Sequence, residues 1–170
     1  MTKGLVQVYT GDGKGKTTAA LGLALRACGH GMSVIFIQFV KGIPTGEHAF
    51  VSRYHPFEIA QIGKGDCFTK DTNILESEAR ETIQFAREQI VSNKYDLVIL
   101  DEILIALHIK LLSMNDVMDL IDQKPESVEL VMTGRNAPQE IIDRADLVTE
   151  MRMIKHPFST GVAGRRGIEF

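Results

Sequence analysis

A glycine-rich loop near the start of the chain limits the folds that this sequence can adopt. The segment TGDGKGKTT, residues 10–18, follows a short apolar stretch at 5–9 and runs into the Ala- and Leu-rich stretch KTTAALGLALRACG. The first stretch predicts a buried strand, and the second predicts a helix that ends near Gly29 or Gly31. A glycine-rich loop between a strand and a helix is the context that a phosphate-binding loop requires.

This loop departs from the usual pattern of Gly, four residues, Gly, Lys, and Ser or Thr. Thr10 occupies the position of the first glycine, Gly11 comes one residue later, and Lys14 adds a second lysine inside the loop. One interpretation is a glycine-rich turn that only joins a strand to a helix. The others are an ordinary ATPase loop with a tolerated change, and a loop adapted to different chemistry.

The residues of the loop have separate expected roles in phosphate binding. Backbone N–H groups can point inward because glycines let the chain wrap tightly, and the helix N-terminus adds partial positive charge. Lys16 is expected to reach a phosphate oxygen. The Thr17 hydroxyl is expected to bind Mg²⁺, which prefers oxygen ligands and keeps several waters.

A second apolar segment ends in two acidic residues. YDLVILDE, residues 95–102, predicts a strand that ends at Asp101 and Glu102. A carboxylate at this position can hold the magnesium shell of a phosphate loop. The alternative is that one acid caps the next helix, and spacing alone does not choose between Asp101 and Glu102 as the closer metal partner.

The rest of the chain alternates between predicted strands and helices. Further strands are predicted at 32–40, 57–62, 127–134 and 146–154, with loops at 41–50 and 63–72. Helices are predicted at 73–92, where Asn73 and Glu76 form the start, at 103–112, from Ser113 onward, and at 136–145. The alternation predicts one α/β domain over 1–170, with a mostly parallel sheet and helices on both faces. Ligands then bind at the carboxyl ends of the strands.

Composition excludes several classes of protein. The net charge is −3, which gives no electrostatic reason to expect nucleic acid as the main partner. Cys28 and Cys67 are far apart and fit neither a disulfide framework nor a structural zinc site. No apolar run approaches the roughly 20 residues that cross a bilayer, and no signal peptide is recognised, so no membrane contact and a cytoplasmic location are expected.

Several stretches together resemble the P-loop corrinoid adenosyltransferases (ATP:cob(I)alamin adenosyltransferases). They are the loop in YTGDGKGKTTAALGLALRACGHG, QFVKG followed by TGE, YDLVILDE, TGRNAPQEIIDRADLVTEMRMIKHPF and the closing GIEF. These stretches span nearly the whole chain in the family's order. The doubled lysine of the loop and the C-terminal stretches are far more specific than a phosphate loop alone.

The resemblance implies a RecA-like P-loop α/β fold, usually in a homodimer. It implies transfer of the 5′-deoxyadenosyl group of ATP to the Co(I) of a reduced corrinoid such as cob(I)alamin, with release of tripolyphosphate. It further implies Mg²⁺ or Mn²⁺ near Thr17 and the Asp101–Glu102 pair, and a reductase that delivers Co(I). The ATP-binding residues that it implies are Gly11, Asp12, Gly13, Lys14, Gly15, Lys16, Thr17 and the adjoining Thr18.

That reaction suits a site without a catalytic His or Cys. Co(I) is the nucleophile and needs no general base, and the electrophile is the ribose C5′, so the whole tripolyphosphate leaves. The protein has to stabilise the charge that grows on this leaving group, which backbone amides, two lysines and a metal ion can do. Lys16 and Thr17 are therefore the predicted catalytic residues.

Two features of the sequence depart from the family pattern. Many members have a helical extension before the first strand, whereas this chain starts a few residues ahead of that strand. Many also have a Gly-Phe-Thr-Trp-like stretch near the corrin, where this chain has GDCFTK at 65–70 and no Trp. Phe68 is the candidate for the corrin-facing aromatic, and a core phenylalanine is the alternative.

Two other functions compete with adenosyl transfer. The first is a generic P-loop ATPase or small-molecule kinase, which would release ADP. The second is a noncatalytic nucleotide-binding module that controls a partner protein. Neither accounts for the altered loop together with the C-terminal stretches.

Overall fold

The structure, a computed structural model, describes residues 3–65 and 69–170 and contains a six-stranded sheet. The strand order is β3-β2-β4-β5-β1-β6, and every neighbouring pair runs parallel. The strands are β1 (Val6–Thr10), β2 (Val34–Gln38), β3 (Glu58–Gln61), β4 (Leu97–Asp101), β5 (Glu129–Thr133) and β6 (Leu147–Glu150). The predicted α/β class is confirmed, and the sheet is entirely parallel rather than mostly so.

Helices cover both faces of this sheet, as predicted. The described helices are α1 (Lys16–Gly29), α2 (Gly46–Tyr54), α3 (Thr72–Val91), α4 (Ile103–His108), α5 (Met114–Gln123) and α6 (Gln139–Arg144), with a short 3₁₀ helix at Pro157–Thr160. Helix α1 packs on one face, and α3 to α6 contribute to the core on the other. Within the described residues, no helix is long and apolar enough to cross a membrane.

The neighbouring strands β2 and β4 are buried along their whole length. Their successive side chains point to opposite faces, so that Ile35 and Ile37 join the core under α3, while Val34 and Phe36 join the core under α1. Full burial of one such side chain contributes about 1.5–3 kcal/mol. A continuous apolar run is therefore what a strand covered on both faces requires.

The order of the strands brings the candidate functional residues together. β5 lies between the loop strand β1 and the acid strand β4, which is the RecA-like arrangement. Because all the strands are parallel, Thr10, Gln38, Asp101 and Thr133 end at the same edge of the sheet. The phosphate loop and the acid pair therefore meet although 84 residues separate Thr17 from Asp101.

Some predicted elements were wrong in kind or extent. The stretch 41–50 was predicted as a loop, but helix α2 begins within it at Gly46. The Thr45 backbone N–H donates to His48 Nδ1 at 3.1 Å, which satisfies a free donor at that helix start. Helix α3 begins at Thr72, capped by Asp71 rather than by Asn73.

Three predicted elements are shorter in the structure than the apolar runs that suggested them. Helix α4 ends at His108 instead of running to 112, and β6 ends at Glu150 instead of 154. Helix α6 starts at Gln139, with Pro138 as the residue before the first turn. Leu111 and Leu112, which follow α4, are buried outside a helix, whereas Met153 and Ile154, which follow β6, are exposed.

Candidate functional site

The phosphate loop is packed tightly against the chain that leaves β6. The Gly13 N–H donates to the Met151 carbonyl at 2.6 Å. A Cβ atom at Gly11 would lie 2.5 Å from that carbonyl oxygen, and one at Gly13 would lie 2.6 Å from it. Gly15 has a φ of 121°, which side chains rarely adopt. The glycines of this loop are therefore required by close packing as well as by backbone conformation.

Thr10 stands where the usual pattern has its first glycine, and its side chain has a structural role. It is the last residue of β1 and is buried. Its hydroxyl oxygen accepts a hydrogen bond from the Ala137 N–H at 3.2 Å. The substitution therefore ties the start of the loop to the segment between β5 and α6.

Lys16 lies over its own loop. Its ammonium donates to the carbonyls of Gly11, at 2.6 Å, and Gly13, at 2.8 Å. Burial, together with the nearby Arg135, lowers the pKa of Lys16. The Lys16 side chain therefore lies against the loop in which it is expected to bind phosphate.

Asp101 is the centre of the site. Its carboxylate is fully buried and accepts hydrogen bonds from four side chains. Oδ1 accepts from Thr17 Oγ1 at 2.9 Å and from Thr133 Oγ1 at 2.7 Å. Oδ2 accepts from Lys41 Nζ at 2.8 Å and from Gln38 Nε2 at 3.3 Å. The loop and three strand ends are therefore joined through one carboxylate.

Glu102 occupies a strained position next to Asp101. Its φ is 63°, in the left-handed region, and its N–H donates to Thr133 Oγ1 at 2.9 Å. It precedes α4, but its side chain makes no capping hydrogen bond to that helix. Burial raises the pKa of Glu102, while Lys41 opposes the shift. Left-handed backbone at a non-glycine residue is often associated with functional sites.

A cleft of about 750 Å³ opens beside Thr17 and Glu102. It lies between α1, α2 and the C-terminal residues, and it is lined largely by apolar side chains. The residues that line it include Thr18, Leu21, Leu25, Phe50, Ile168 and Phe170. Its volume falls within the range of ordinary small-molecule sites.

Two other charged residues of the loop contact segments outside it. Asp12 Oδ1 lies 3.9 Å from Arg135 Nη1, and both side chains are more than half exposed. Lys14 donates to Glu169 Oε1 at 3.0 Å and to the Ile168 carbonyl at 3.2 Å. The second lysine of the loop therefore contacts the C-terminal residues in this structure.

A sequence model of the family described as ATP:corrinoid adenosyltransferase BtuR/CobO/CobP matches residues 2–170. This chain belongs to the ATP:corrinoid adenosyltransferase family. The predicted resemblance is thereby confirmed.

Relatives that align with nearly the whole of this chain include corrinoid adenosyltransferases of three organisms. A corrinoid adenosyltransferase of Sinorhizobium sp is 38% identical over 173 residues, with 99% of this chain and 81% of the relative covered. The Escherichia coli K12 enzyme of that name is 37% identical over 172 residues, covering 99% of this chain and 86% of the relative. Corrinoid adenosyltransferase CobA of Salmonella typhimurium is 35% identical, with the same coverage of 99% and 86%.

Several residues near Asp101 and Lys16 were not predicted from the sequence. Lys41, Gln38, Thr133 and Arg135 were not singled out as site residues. Each lies at or just after the carboxyl end of a parallel strand, which is the signal that could have found them. Phe68, the candidate corrin-facing aromatic, lies outside the described residues.

Proposed function

We propose that this chain transfers the 5′-deoxyadenosyl group of ATP to the Co(I) of a reduced corrinoid. The observation that carries the proposal is the phosphate loop and acid pair beside a large apolar cleft. In the reaction, the Co(I) electron pair forms the bond from cobalt to C5′. The bond from C5′ to the ester oxygen breaks, and tripolyphosphate leaves with the electron pair of that C5′–O bond.

The loop stabilises the departing tripolyphosphate. We propose that Gly11 and Gly15 present backbone N–H groups to phosphate oxygens at the start of α1, where the helix adds partial positive charge. The Gly13 N–H instead holds the loop against the Met151 carbonyl. Lys16 supplies a positive charge beside them. Its present partners are two neutral carbonyls, which an anionic phosphate oxygen outcompetes electrostatically.

Thr17, Asp101 and Glu102 form an oxygen donor set that fits Mg²⁺ or Mn²⁺. The fit rests on the Thr17 hydroxyl held 2.9 Å from Asp101 and on the Glu102 carboxylate at the cleft. Asp101 holds the hydroxyl in place, and Glu102 faces the substrate. When bound, the ion would neutralise charge on the polyphosphate.

The cleft beside Thr17 and Glu102 binds ATP and the corrinoid next to each other. We propose that Thr18 and Leu21 lie against the adenosine part of ATP, since they follow the loop directly on α1. The apolar walls exclude water, which would otherwise hydrolyse the activated nucleotide. No described side chain is needed as a base, because Co(I) is already the nucleophile.

One experiment separates this function from its competitors. The protein is incubated without oxygen with ATP, Mg²⁺ and chemically reduced cobalamin, while the corrinoid spectrum and the phosphate products are followed. Tripolyphosphate with a light-sensitive alkylcobalamin is expected. ADP with an unchanged corrinoid would instead identify a P-loop ATPase or kinase, and binding without any product would identify a noncatalytic module.

Phe68 is proposed to pack against the corrin, on the basis of the sequence alone. Phe68→Ala is then expected to slow adenosyl transfer far more than it weakens ATP binding. Equal effects on both measurements would place Phe68 in the core. We also propose that 1–170 acts as one domain, that the chain forms a homodimer in the cytoplasm, and that a reductase supplies Co(I).

A further inference from the structure

The last six residues form a turn that lies beside the phosphate loop. The N–H groups of Ile168 and Glu169 donate to the Arg165 carbonyl, at 3.2 and 2.9 Å. These bonds are local to residues 165–170. They give the turn its shape but do not attach it to the sheet.

Lys14 attaches this turn to the domain. Its ammonium donates to the Ile168 carbonyl at 3.2 Å and to Glu169 Oε1 at 3.0 Å. The other hydrogen bonds described for residues 165–170 stay within the turn. The extra lysine of the loop is therefore the polar anchor of the C-terminal turn.

The Glu169 carboxylate is held in a fixed orientation for this contact. Arg165 donates to Oε2 from its backbone N–H at 2.7 Å and from Nε at 3.2 Å, and to Oε1 from Nη2 at 3.0 Å. These Arg165 contacts, followed by Lys14, lower the pKa of Glu169 to about 2. Glu169 is therefore ionised at neutral pH and is shared by two cations.

The anchored turn forms one wall of the substrate cleft. Residues 167–170 line the same cleft as Thr17 and Glu102. Ile168 and Phe170 leave 58% and 52% of their surfaces exposed, so both can contact a ligand. The contact between Lys14 and Glu169 is thus a polar link between the phosphate loop and this wall of the cleft.

We infer that Glu169 is a positioning residue, which holds the C-terminal turn through Lys14 so that Ile168 and Phe170 contact the apolar part of the corrinoid. The inference rests on the proposed function for the identity of that ligand. An ammonium has three N–H donors, and Lys14 gives two to the turn. The third can reach a phosphate oxygen, so the nucleotide and the turn can be held by the same lysine.

Hydrogen exchange on the full chain tests the anchoring directly. Glu169→Gln removes the charge, and loss of an exposed ion pair is expected to speed exchange of the Ile168 and Glu169-position amides about two- to fivefold. Glu169→Lys sets two ammonium groups against each other and is expected to have a larger effect. Glu126→Gln is the matched control, because Glu126 is exposed at the opposite edge of the sheet.

Ligand measurements separate a role in positioning from a role in the phosphate loop. In Glu169→Gln, the KM for the reduced corrinoid is expected to rise about two- to fivefold. Affinity for inorganic tripolyphosphate, measured by calorimetry, is expected to stay equal or to increase, because Lys14 keeps its charge.

Either of two results would overturn the inference. Exchange in both Glu169 variants could equal that of the wild type, or tripolyphosphate binding could weaken in proportion to transfer. A wild-type protein that transfers no adenosyl group would defeat the proposed function instead, while the exchange and tripolyphosphate measurements would still decide the role of Glu169.

Discussion

At the scale of single residues, the site depends on how one buried charge is accommodated. A carboxylate without contact to water is costly unless it is paired and hydrogen-bonded. Asp101 meets this condition through Lys41, Gln38 and two threonine hydroxyls. The same bonds fix the direction of the Thr17 hydroxyl. The hydrogen bonds around Asp101 therefore both stabilise its buried charge and orient the site.

Lys16→Ala is expected to lower the rate of adenosyl transfer by about 100- to 1,000-fold, because a positioned donor to the leaving group is lost. The rate is measured from the appearance of alkylcobalamin. Lys94→Ala provides the control, since Lys94 is exposed ahead of β4 at the other edge of the sheet. A near-normal rate in Lys16→Ala would remove this lysine from the mechanism.

At the scale of secondary-structure elements, the loop and the strand exits support each other. The phosphate loop packs on the carbonyl of Met151, the first residue after β6. Thr10 bonds to the segment ahead of α6, and Thr133 at the end of β5 bonds to the backbone of Glu102. Hydrogen bonds at the strand ends therefore hold the loop and the acid pair in place.

Gly13→Ala is expected to disrupt the loop, because the new Cβ would lie 2.6 Å from the Met151 carbonyl oxygen. The expected result is loss of ATP affinity, measured by calorimetry, together with a lower melting temperature. Gly29→Ala is the matched control: its Cβ would meet nothing within 4 Å, and alanine stabilises helices by up to about 1 kcal/mol. Wild-type ATP affinity in Gly13→Ala would contradict the packing argument.

Helix α5 begins with a reciprocal cap that can be tested separately. Ser113 Oγ accepts from the Asp116 N–H at 3.2 Å, and Asp116 Oδ2 accepts from the Ser113 N–H at 2.8 Å. Ser113→Ala is expected to lower the free energy of unfolding by about 0.5–2 kcal/mol. Urea unfolding measures this change, with the exposed Ser127→Ala as control. An unchanged midpoint would show that the cap contributes nothing.

The contribution of this cap has a defined pH dependence. Hydrogen bonds from Ser113 lower the pKa of Asp116 below its ordinary value. The stabilisation is therefore fully present above the unfolded pKa of about 3.9, and it is lost as pH falls through the lower folded value. Urea unfolding of the wild type and Asp116→Asn at a series of pH values should show their difference shrink in acid. A constant difference would contradict the assignment.

At the scale of the whole molecule, binding at the loop is linked to folding. The loop, the acid pair and the cleft are built from residues that the sheet brings together, so the unfolded chain lacks the site. A ligand at about 100 times its Kd then adds about 2.7 kcal/mol to the free energy of unfolding. Ligand binding at one edge of the sheet therefore stabilises the entire fold against unfolding.

ATP with Mg²⁺, at about 100 times the Kd, is expected to raise the melting temperature by about 5–10 °C for a chain of this size. Differential scanning fluorimetry measures the shift. Lys16→Ala should show little of it at the same concentrations, whereas Lys94→Ala should show all of it. An equal shift in both variants would place the nucleotide away from the loop.

The sequence by itself determined the features that depend on neighbouring residues. Apolar runs identified β2 and β4, glycines and Lys16-Thr17 identified the loop, and the strand ending at Asp101 identified the acids. Each signal spans fewer than about 20 residues, within the reach of periodicity and motif spacing. The same local signals failed at α2, whose start depends on a cap by His48 within a glycine- and proline-containing stretch.

Only the tertiary structure decided which distant residues meet. Lys41 reaches Asp101 across 60 positions, and Lys14 reaches Glu169 across 155. The first contact follows from the strand order, which sets β2 beside β4. The second follows from the position of the C-terminal turn beside the phosphate loop. Strand order is fixed by the packing of the whole core rather than by any local pattern. The sequence therefore identified the loop and the acids. The tertiary structure placed Lys41 beside Asp101 and Glu169 beside Lys14.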